Sequence, residues 1–250
     1  IQERAYRYFL GVHPKTPIFA MQGDVGWMLP KYRMFLNIVR YWNRICKLDD
    51  TRLVKKVLLW DMRQAGASWF SDFSKLCREF NVNIEQQLVL INFDLVHDKC
   101  KKHQEDTRKS NVNLKPKLRT YTMYKDEFTT ESYVKQLLPK KQRSLMAQFR
   151  CGILPLKIET GRWMKGGIPV EQRMCDLCKE DIEDGFHFLC KCPLYENARY
   201  SLYNAVIEQQ QEFVCLDDRE KFIVVCKYYQ RLLLKYLVTS WETRQALLLV

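Results

Sequence analysis

Three cysteines and one histidine within 18 residues constrain this chain more than any other feature of its sequence. Two residues separate Cys175 from Cys178, His187 follows after eight more, and Cys192 follows after a further four. A structural zinc ion takes four thiolate or imidazole ligands at the corners of a tetrahedron. The spacing therefore predicts a small zinc-binding module, in which two turns of chain fold around one ion.

The fourth ligand of this module has two candidates. Cys190 also follows His187 at a distance that would allow it to bind the same ion. We favour Cys192, because Pro193 follows it and the apolar pair Phe188–Leu189 precedes Cys190. A set of three cysteines and one histidine leaves no position open for water, so the predicted zinc ion is structural and not catalytic.

The net charge of +12 is concentrated just ahead of the cysteines. Residues 109–173 contain 14 basic and 5 acidic side chains, whereas residues 174–250 contain 9 basic and 12 acidic ones. A strongly basic segment suits a polyanion such as nucleic acid. A solvated linker surface is the alternative that charge alone leaves open.

Apolar residues recur at helical spacing through most of the chain, which predicts a mainly α fold. The expected order is a helical domain over 1–108, a basic connecting region over 109–173, a zinc knuckle over 174–195 and C-terminal helices over 196–250. The predicted helices cover 31–47, a run capped by Asp49 and Asp50, a run capped by Ser68, 84–103, 140–150 after Pro139, 194–212, and one long helix from Asp217 or Asp218 to the end. Residues 109–117 are predicted to be a loop, and 118–124 either a strand or a helix.

Catalytic motifs are missing from this pattern. A polymerase holds two Mg²⁺ ions with paired carboxylates on a tight hairpin, but Asp49–Asp50 and Asp217–Asp218 each precede an amphipathic helical run, where helix capping explains them. Gly-x-Ser-x-Gly, P-loop and His-Glu-x-x-His motifs do not occur. We therefore expect no enzymatic activity. We also expect no membrane span and, from the clustered cysteines without a secretory signal, an intracellular location in the nucleus or cytoplasm.

Several short motifs resemble one family. The region from Arg150 to Tyr195 is similar to the C-terminal zinc-knuckle region of non-LTR (LINE-type) retrotransposon reverse transcriptases. The motifs are Arg150-Cys-Gly152, Leu154-Pro155-Leu156, Gly161-Arg162-Trp163 and the cysteine–histidine run that ends in Pro193-Leu194-Tyr195; Arg7-Tyr-Phe-Leu-Gly11, Gly23-Asp-Val-Gly-Trp27 and Tyr41-Trp-Asn-Arg44 resemble the segment after the polymerase core. The resemblance implies Cys175, Cys178, His187 and Cys192 as ligands of Zn²⁺, a polymerase core upstream of Ile1, and contacts to template RNA or target DNA.

The basic region supplies the candidate contacts to RNA or DNA. We predict that Trp163 stacks on a base, with Tyr121 as a second candidate. The predicted phosphate contacts are Lys115, Lys117, Arg119, Lys140, Lys141, Arg143, Arg150, Arg162 and Lys165. Between Cys175 and Cys192 five acidic residues face only two basic ones, so the zinc knuckle itself is expected to be a poor phosphate-binding surface.

Two other interpretations stay open. The chain could be a zinc-stabilised helical scaffold for protein interactions, or a retroelement remnant without a function. The scaffold would use an apolar stripe on the C-terminal helix, formed by Phe222, Val225, Tyr229, Leu232, Leu233, Tyr236 and Leu237.

Overall fold

The computed structural model describes residues 1–64, 66–84 and 88–248. Within these ranges the chain forms helices, short 3-10 segments and turns, with an isolated antiparallel bridge between Met174 and Ile182 and no strand. The prediction of a mainly α fold is confirmed. Among the described helices, none combines the length and the apolar character needed to cross a membrane.

The α-helices of the described residues follow one another in chain order. They are α1 (Gln2–Leu10), α2 (Ile18–Val25), α3 (Pro30–Cys46), α4 (Leu53–Asp61), α5 (Trp69–Glu79), α6 (Phe93–Asn113), α7 (Tyr121–Tyr124), α8 (Ser132–Lys135), α9 (Lys140–Arg150), α10 (Lys157–Thr160), α11 (Glu196–Ile207), α12 (Asp218–Tyr228) and α13 (Gln230–Leu248). Short 3-10 segments cover Pro116–Leu118, Val170–Gln172, Pro193–Tyr195 and Gln211–Cys215, and His187–Lys191 forms a π-helical turn.

The chain is divided into two compact units. The smaller unit is Met28–Thr107, and the larger unit combines Ile1–Trp27 with Arg108–Val250. The four segments proposed from the sequence stay a prediction, and the compact units follow a different division. The amino-terminal residues join the larger unit because α1 packs against α2 and α9.

Aromatic side chains form the core of the smaller unit. Phe35 and Trp42 of α3 pack against Phe80 and Phe73, with ring centroids 4.7 and 5.1 Å apart. Ser68 caps α5 as predicted, since its hydroxyl accepts a hydrogen bond from Ser71 N at 3.1 Å. The helical period of α3 thus places its apolar face in this core.

Two helix boundaries in the smaller unit differ from the prediction. Asp49 does not cap α4, because its carboxylate instead accepts bonds from the backbone N and hydroxyl of Thr51 in the preceding turn. The helix predicted over 84–103 begins only at Phe93, and its residues 85–87 lie outside the described residues. Ile91 remains non-helical because its backbone N and O bond the side chain of Asn43 at 2.8 and 2.7 Å.

The start of the basic region is more helical than predicted. Residues 109–113, predicted to be a loop, continue α6 to Asn113. Of the two structures considered for 118–124, the helix is the one that forms, as α7. Pro139 precedes the basic helix α9 as predicted.

The C-terminal helices build the core of the larger unit. α13 packs against α9, α11 and α12, and its Leu233 and Leu237 are wholly buried. Asp217 caps α12 through a reciprocal capping box with Glu220. The single long helix that was predicted is wrong, because the chain leaves helical geometry at Tyr229. There Gln230 accepts bonds from Tyr133 N at 3.1 Å and the Ser132 hydroxyl at 2.7 Å, which positions the start of α13.

Candidate metal centre and adjacent basic groove

Cys175 and Cys178 lie in a tight turn that the backbone closes. Cys175 N donates to Asp181 O at 2.8 Å, and Glu183 N donates to Arg173 O at 3.0 Å, so the chain folds back on itself across the Met174–Ile182 bridge. Lys179 N donates to Cys175 O at 3.1 Å, with Lys179 in the left-handed region at φ 63°. This turn brings both sulfur atoms to the same cluster.

His187 and Cys192 are brought together by the π-helical turn. Cys192 N donates to His187 O at 2.9 Å, which is the bond between residues five apart that defines such a turn. Asp184 precedes the turn and accepts bonds from the backbone N of Phe186 and of His187, each at 2.9 Å. The four-residue gap between the histidine and the last cysteine therefore has a structural reason.

The four side chains converge on one point. The Sγ atoms of Cys175, Cys178 and Cys192 and a ring nitrogen of His187 all lie within 4.8 Å of one another. Cys178 Sγ and His187 Nε2 are 3.4 Å apart. A tetrahedral zinc ion with Zn–S of about 2.3 Å and Zn–N of about 2.0 Å would separate these two atoms by about 3.5 Å. The cluster could therefore hold a metal ion.

The position of its thiol separates Cys190 from the cluster. Cys192 Sγ is one of the four atoms that lie within 4.8 Å of one another, and Cys190 is not part of this group. The Cys190 thiol instead donates to Asp218 O at 3.7 Å, and burial raises its pKa to about 12. The structure therefore supports Cys192 as the fourth ligand and places Cys190 outside the cluster.

Glu183 connects the cluster to α13. Its buried carboxylate accepts bonds from both terminal nitrogens of Arg244, one of them at 2.9 Å, and from Lys157 N at 2.6 Å. Burial raises the pKa of Glu183 to about 7 in spite of the opposing charge of Arg244. Cys175 Sγ lies 3.5 Å from the same carboxylate, and the bonds to Arg244 and to Lys157 N hold Glu183 in place beside this candidate ligand.

Most acidic residues of the knuckle are paired. Besides Glu183, Asp176 pairs with Lys157 at 2.8 Å, Asp181 with Lys191 at 3.2 Å and Asp184 with Arg119 at 3.3 Å. Lys157, Arg119 and Arg244 come from outside the knuckle. The neighbouring elements therefore compensate the excess of negative charge in the knuckle. Arg119, one of the predicted phosphate contacts, forms one of these pairs.

Two of the residues predicted to contact nucleic acid are buried, so these two predictions are wrong. Arg150 is wholly buried and donates to both carboxylate oxygens of Asp24, so its guanidinium is not available to a phosphate. Tyr121 is also buried, and its hydroxyl bonds Ala20 O and Asp24, each at 3.1 Å, so it offers no surface for a base. Arg143 is half-buried, donates to Phe9 O at 2.7 Å and lies over the Phe9 ring.

The remaining predicted contacts lie at the surface of the larger unit. Lys117 and Arg162 are half-buried and both pair with Glu159. Lys115, Lys140, Lys141, Trp163 and Lys165 are exposed.

Trp163 lines an open groove beside two basic side chains. Its indole is 61% exposed, with Lys15 Nζ 4.5 Å and Lys117 Nζ 5.6 Å from the ring centroid. The groove has a volume of about 440 Å³, and His13 and Pro155 also line it. Sequence reasoning missed His13 and Lys15, because they lie far from the basic region and only the packing of α1 against α9 brings the amino terminus here.

The apolar stripe of the C-terminal helices is part of the core. Phe222, Val225, Leu233, Tyr236 and Leu237 are all buried within the larger unit. They are therefore unavailable as the contact surface that the scaffold interpretation requires.

Comparison with known proteins found no match to a family model, to a curated protein or to a solved structure. The candidate site is thus defined by its own geometry: a compact cluster of three cysteines and one histidine that could hold a metal ion.

Proposed function

We propose that this chain is a zinc-stabilised helical module that binds RNA or DNA and catalyses no reaction. It would serve as an accessory region of the kind that follows the polymerase core in non-LTR retrotransposon reverse transcriptases, which its motifs resemble, in the nucleus or cytoplasm. The observation that carries the nucleic-acid part is the exposed Trp163 beside Lys15 and Lys117.

The ligand set supports zinc as the metal. Thiolates and imidazole in a tetrahedral arrangement favour Zn²⁺ over the hard cations that prefer oxygen. All four protein ligands come from one short segment, and three of them are buried. A closed set of this kind stabilises the fold and leaves no position for a substrate.

The hydrogen bonds of the aspartate pairs support a non-catalytic role. Asp217 accepts a bond from Glu220 N at 2.7 Å within the capping box of α12. Asp49 is occupied by Thr51, and Asp50 pairs with Lys55 at 2.7 Å. Each pair therefore has a local structural role, and neither lies on a two-stranded hairpin that would hold Mg²⁺.

The test combines metal analysis with nucleic-acid binding. We expect one zinc ion per purified chain and a mobility shift with single-stranded RNA. A salt titration of the RNA affinity should show a slope of about −0.7 for each phosphate contact, and replacing Lys140 and Lys141 with Ala should reduce that slope by about 1.4. The control replaces Lys179 and Lys191 of the knuckle, which should change it little.

Absence of binding to RNA and to duplex DNA at low salt would reject the nucleic-acid part of the proposal. Primer extension with Mg²⁺ that is abolished by Asp49→Asn or Asp217→Asn would reject the non-catalytic part.

A further inference from the structure

Trp163 is held outward by a closed loop. Ile168 N donates to Gly161 O at 2.8 Å across the base of the loop, and Trp163 N donates to Thr160 O at 3.0 Å. Gly166 and Gly167 turn the chain with φ of 83° and 64°, conformations that side chains rarely adopt. The indole is thus presented on a shaped loop, and most of its surface is open to solvent.

Lys15 lies in a turn that three hydrogen bonds hold in place. The backbone N and the hydroxyl of Thr16 both donate to His13 O, at 3.0 and 2.6 Å, and Arg7 Nε donates to Pro14 O at 3.0 Å. The ammonium group of Lys15 is therefore kept close to the ring face while its side chain stays exposed.

His13 adds a hydrogen-bond donor to the same groove. Its Nδ1 accepts a bond from Lys15 N at 3.1 Å, so the proton of the neutral imidazole lies on Nε2. Glu159 is the acidic residue among the described groove-lining residues, and Lys117 and Arg162 both pair with it. The lining therefore combines an aromatic face with net positive charge.

We infer that this groove binds single-stranded nucleic acid, with an unpaired base stacked on Trp163 and the adjoining phosphates at Lys15 and Lys117. The inference rests on the proposed nucleic-acid function and assigns its site. Aromatic platforms flanked by cations bind unpaired bases, because every base offers a ring face, whereas the bases of a duplex are already stacked on one another. A groove of about 440 Å³ is small, which suits a nucleotide and not a double helix.

The groove is physically connected to the metal centre. The Arg173 guanidinium donates to Ile168 O and Ile158 O, each at 2.8 Å, at the base of the Trp163 loop. Arg173 O in turn accepts the bond from Glu183 N that closes the knuckle. A metal ion that orders the knuckle would therefore also order the loop that carries Trp163.

The test measures fluorescence anisotropy of labelled 12-nucleotide strands with the full chain. The ligands are single-stranded RNA, single-stranded DNA of the same sequence, the corresponding duplex, and a strand with the same phosphates but without bases. Trp163→Ala should weaken binding of single strands about 5- to 10-fold and leave the duplex affinity unchanged. The strand without bases should bind the wild type and Trp163→Ala equally.

The matched control is Trp60→Ala, which removes an equally exposed tryptophan, 62% exposed on α4, outside the groove. It should leave both affinities unchanged, and Trp163→Phe should restore most of the single-strand binding. Circular dichroism and zinc content identical to wild type establish that each variant is folded. The affinities for single-stranded RNA and single-stranded DNA show which of the two is preferred.

Unchanged single-strand affinity in Trp163→Ala, or an equal loss on single strand and duplex, would overturn the assignment of the groove. If the wild type binds single strands and Trp163→Ala binds them equally well, the proposed function stands and its site lies elsewhere. If the wild type binds none of the four ligands, the proposed function itself fails.

Discussion

The guanidinium of Arg150 in α9 donates to both carboxylate oxygens of Asp24 in α2, at 2.8 and 3.0 Å, and solvent reaches neither side chain. Tyr133 also donates to Asp24 at 2.8 Å, and Arg150 lies 3.2 Å from Glu131. The third guanidinium nitrogen of Arg150 donates to Cys226 O at 2.9 Å in α12. This buried network joins the amino-terminal helices to the C-terminal half of the larger unit.

Asp24→Ala should strongly destabilise the protein. The variant leaves a buried guanidinium without its main partner, and removing one member of a buried ion pair typically costs about 3–5 kcal/mol. Chemical denaturation monitored by circular dichroism measures the change in free energy of unfolding. The control is Asp72→Ala, which removes an exposed pair with Lys75 and should change stability little. A similar loss in both variants would contradict a special role for the buried pair.

The Asp24–Arg150 pair should make the free energy of unfolding depend on pH. Burial raises the pKa of Asp24, but the charge and hydrogen bonds of Arg150 outweigh it, so the pKa lies below its ordinary value. An unfolded chain therefore takes up this proton more readily than the folded one, and the stabilisation is present at neutral pH and lost as pH falls below about 4. Denaturation at a series of pH values should show a steeper loss for the wild type than for Asp24→Asn. Equal slopes would contradict the prediction, and the comparison cancels any effect of zinc release, which acts on both proteins.

Cys192→Ser should abolish stoichiometric zinc binding, whereas Cys190→Ser should retain it. Cys192 lies in the ligand cluster, whereas the Cys190 thiol bonds Asp218 O elsewhere in the core. Structural zinc contributes about 10–16 kcal/mol to the folding of small finger modules, so Cys192→Ser should also unfold the knuckle. Metal analysis and limited proteolysis measure both effects. Zinc retained in Cys192→Ser and lost in Cys190→Ser would reverse the ligand assignment.

Glu183→Ala should destabilise the larger unit. The variant leaves the buried Arg244 guanidinium without its carboxylate partner, and removing one member of a buried ion pair typically costs about 3–5 kcal/mol. Chemical denaturation of the zinc-loaded protein, monitored by circular dichroism, measures the change in free energy of unfolding. Asp176→Ala is the control, since Asp176 pairs with Lys157 at a more exposed position of the same knuckle. An equal loss in the two variants would show that the Glu183–Arg244 pair has no special role.

The sequence alone was sufficient for the features that depend on local spacing. The positions of Cys175, Cys178, His187 and Cys192 predict a shared site, because the turns that bring them together lie within one short segment. The Ser68 cap, the start of α9 after Pro139 and the mainly α fold likewise depend on neighbouring residues, and all three are confirmed.

Contacts between distant segments were decided only by the tertiary structure. Arg150 is basic and lies in the basic region, but the fold pairs it with the buried Asp24 of a distant helix, whereas Lys141 of the same helix stays exposed. Lys15 reaches Trp163 only because α1 packs against α9. Burial and charge pairing are properties of the packed chain, so the sequence determined which residues could bind metal or phosphate, and the fold determined which of them are accessible.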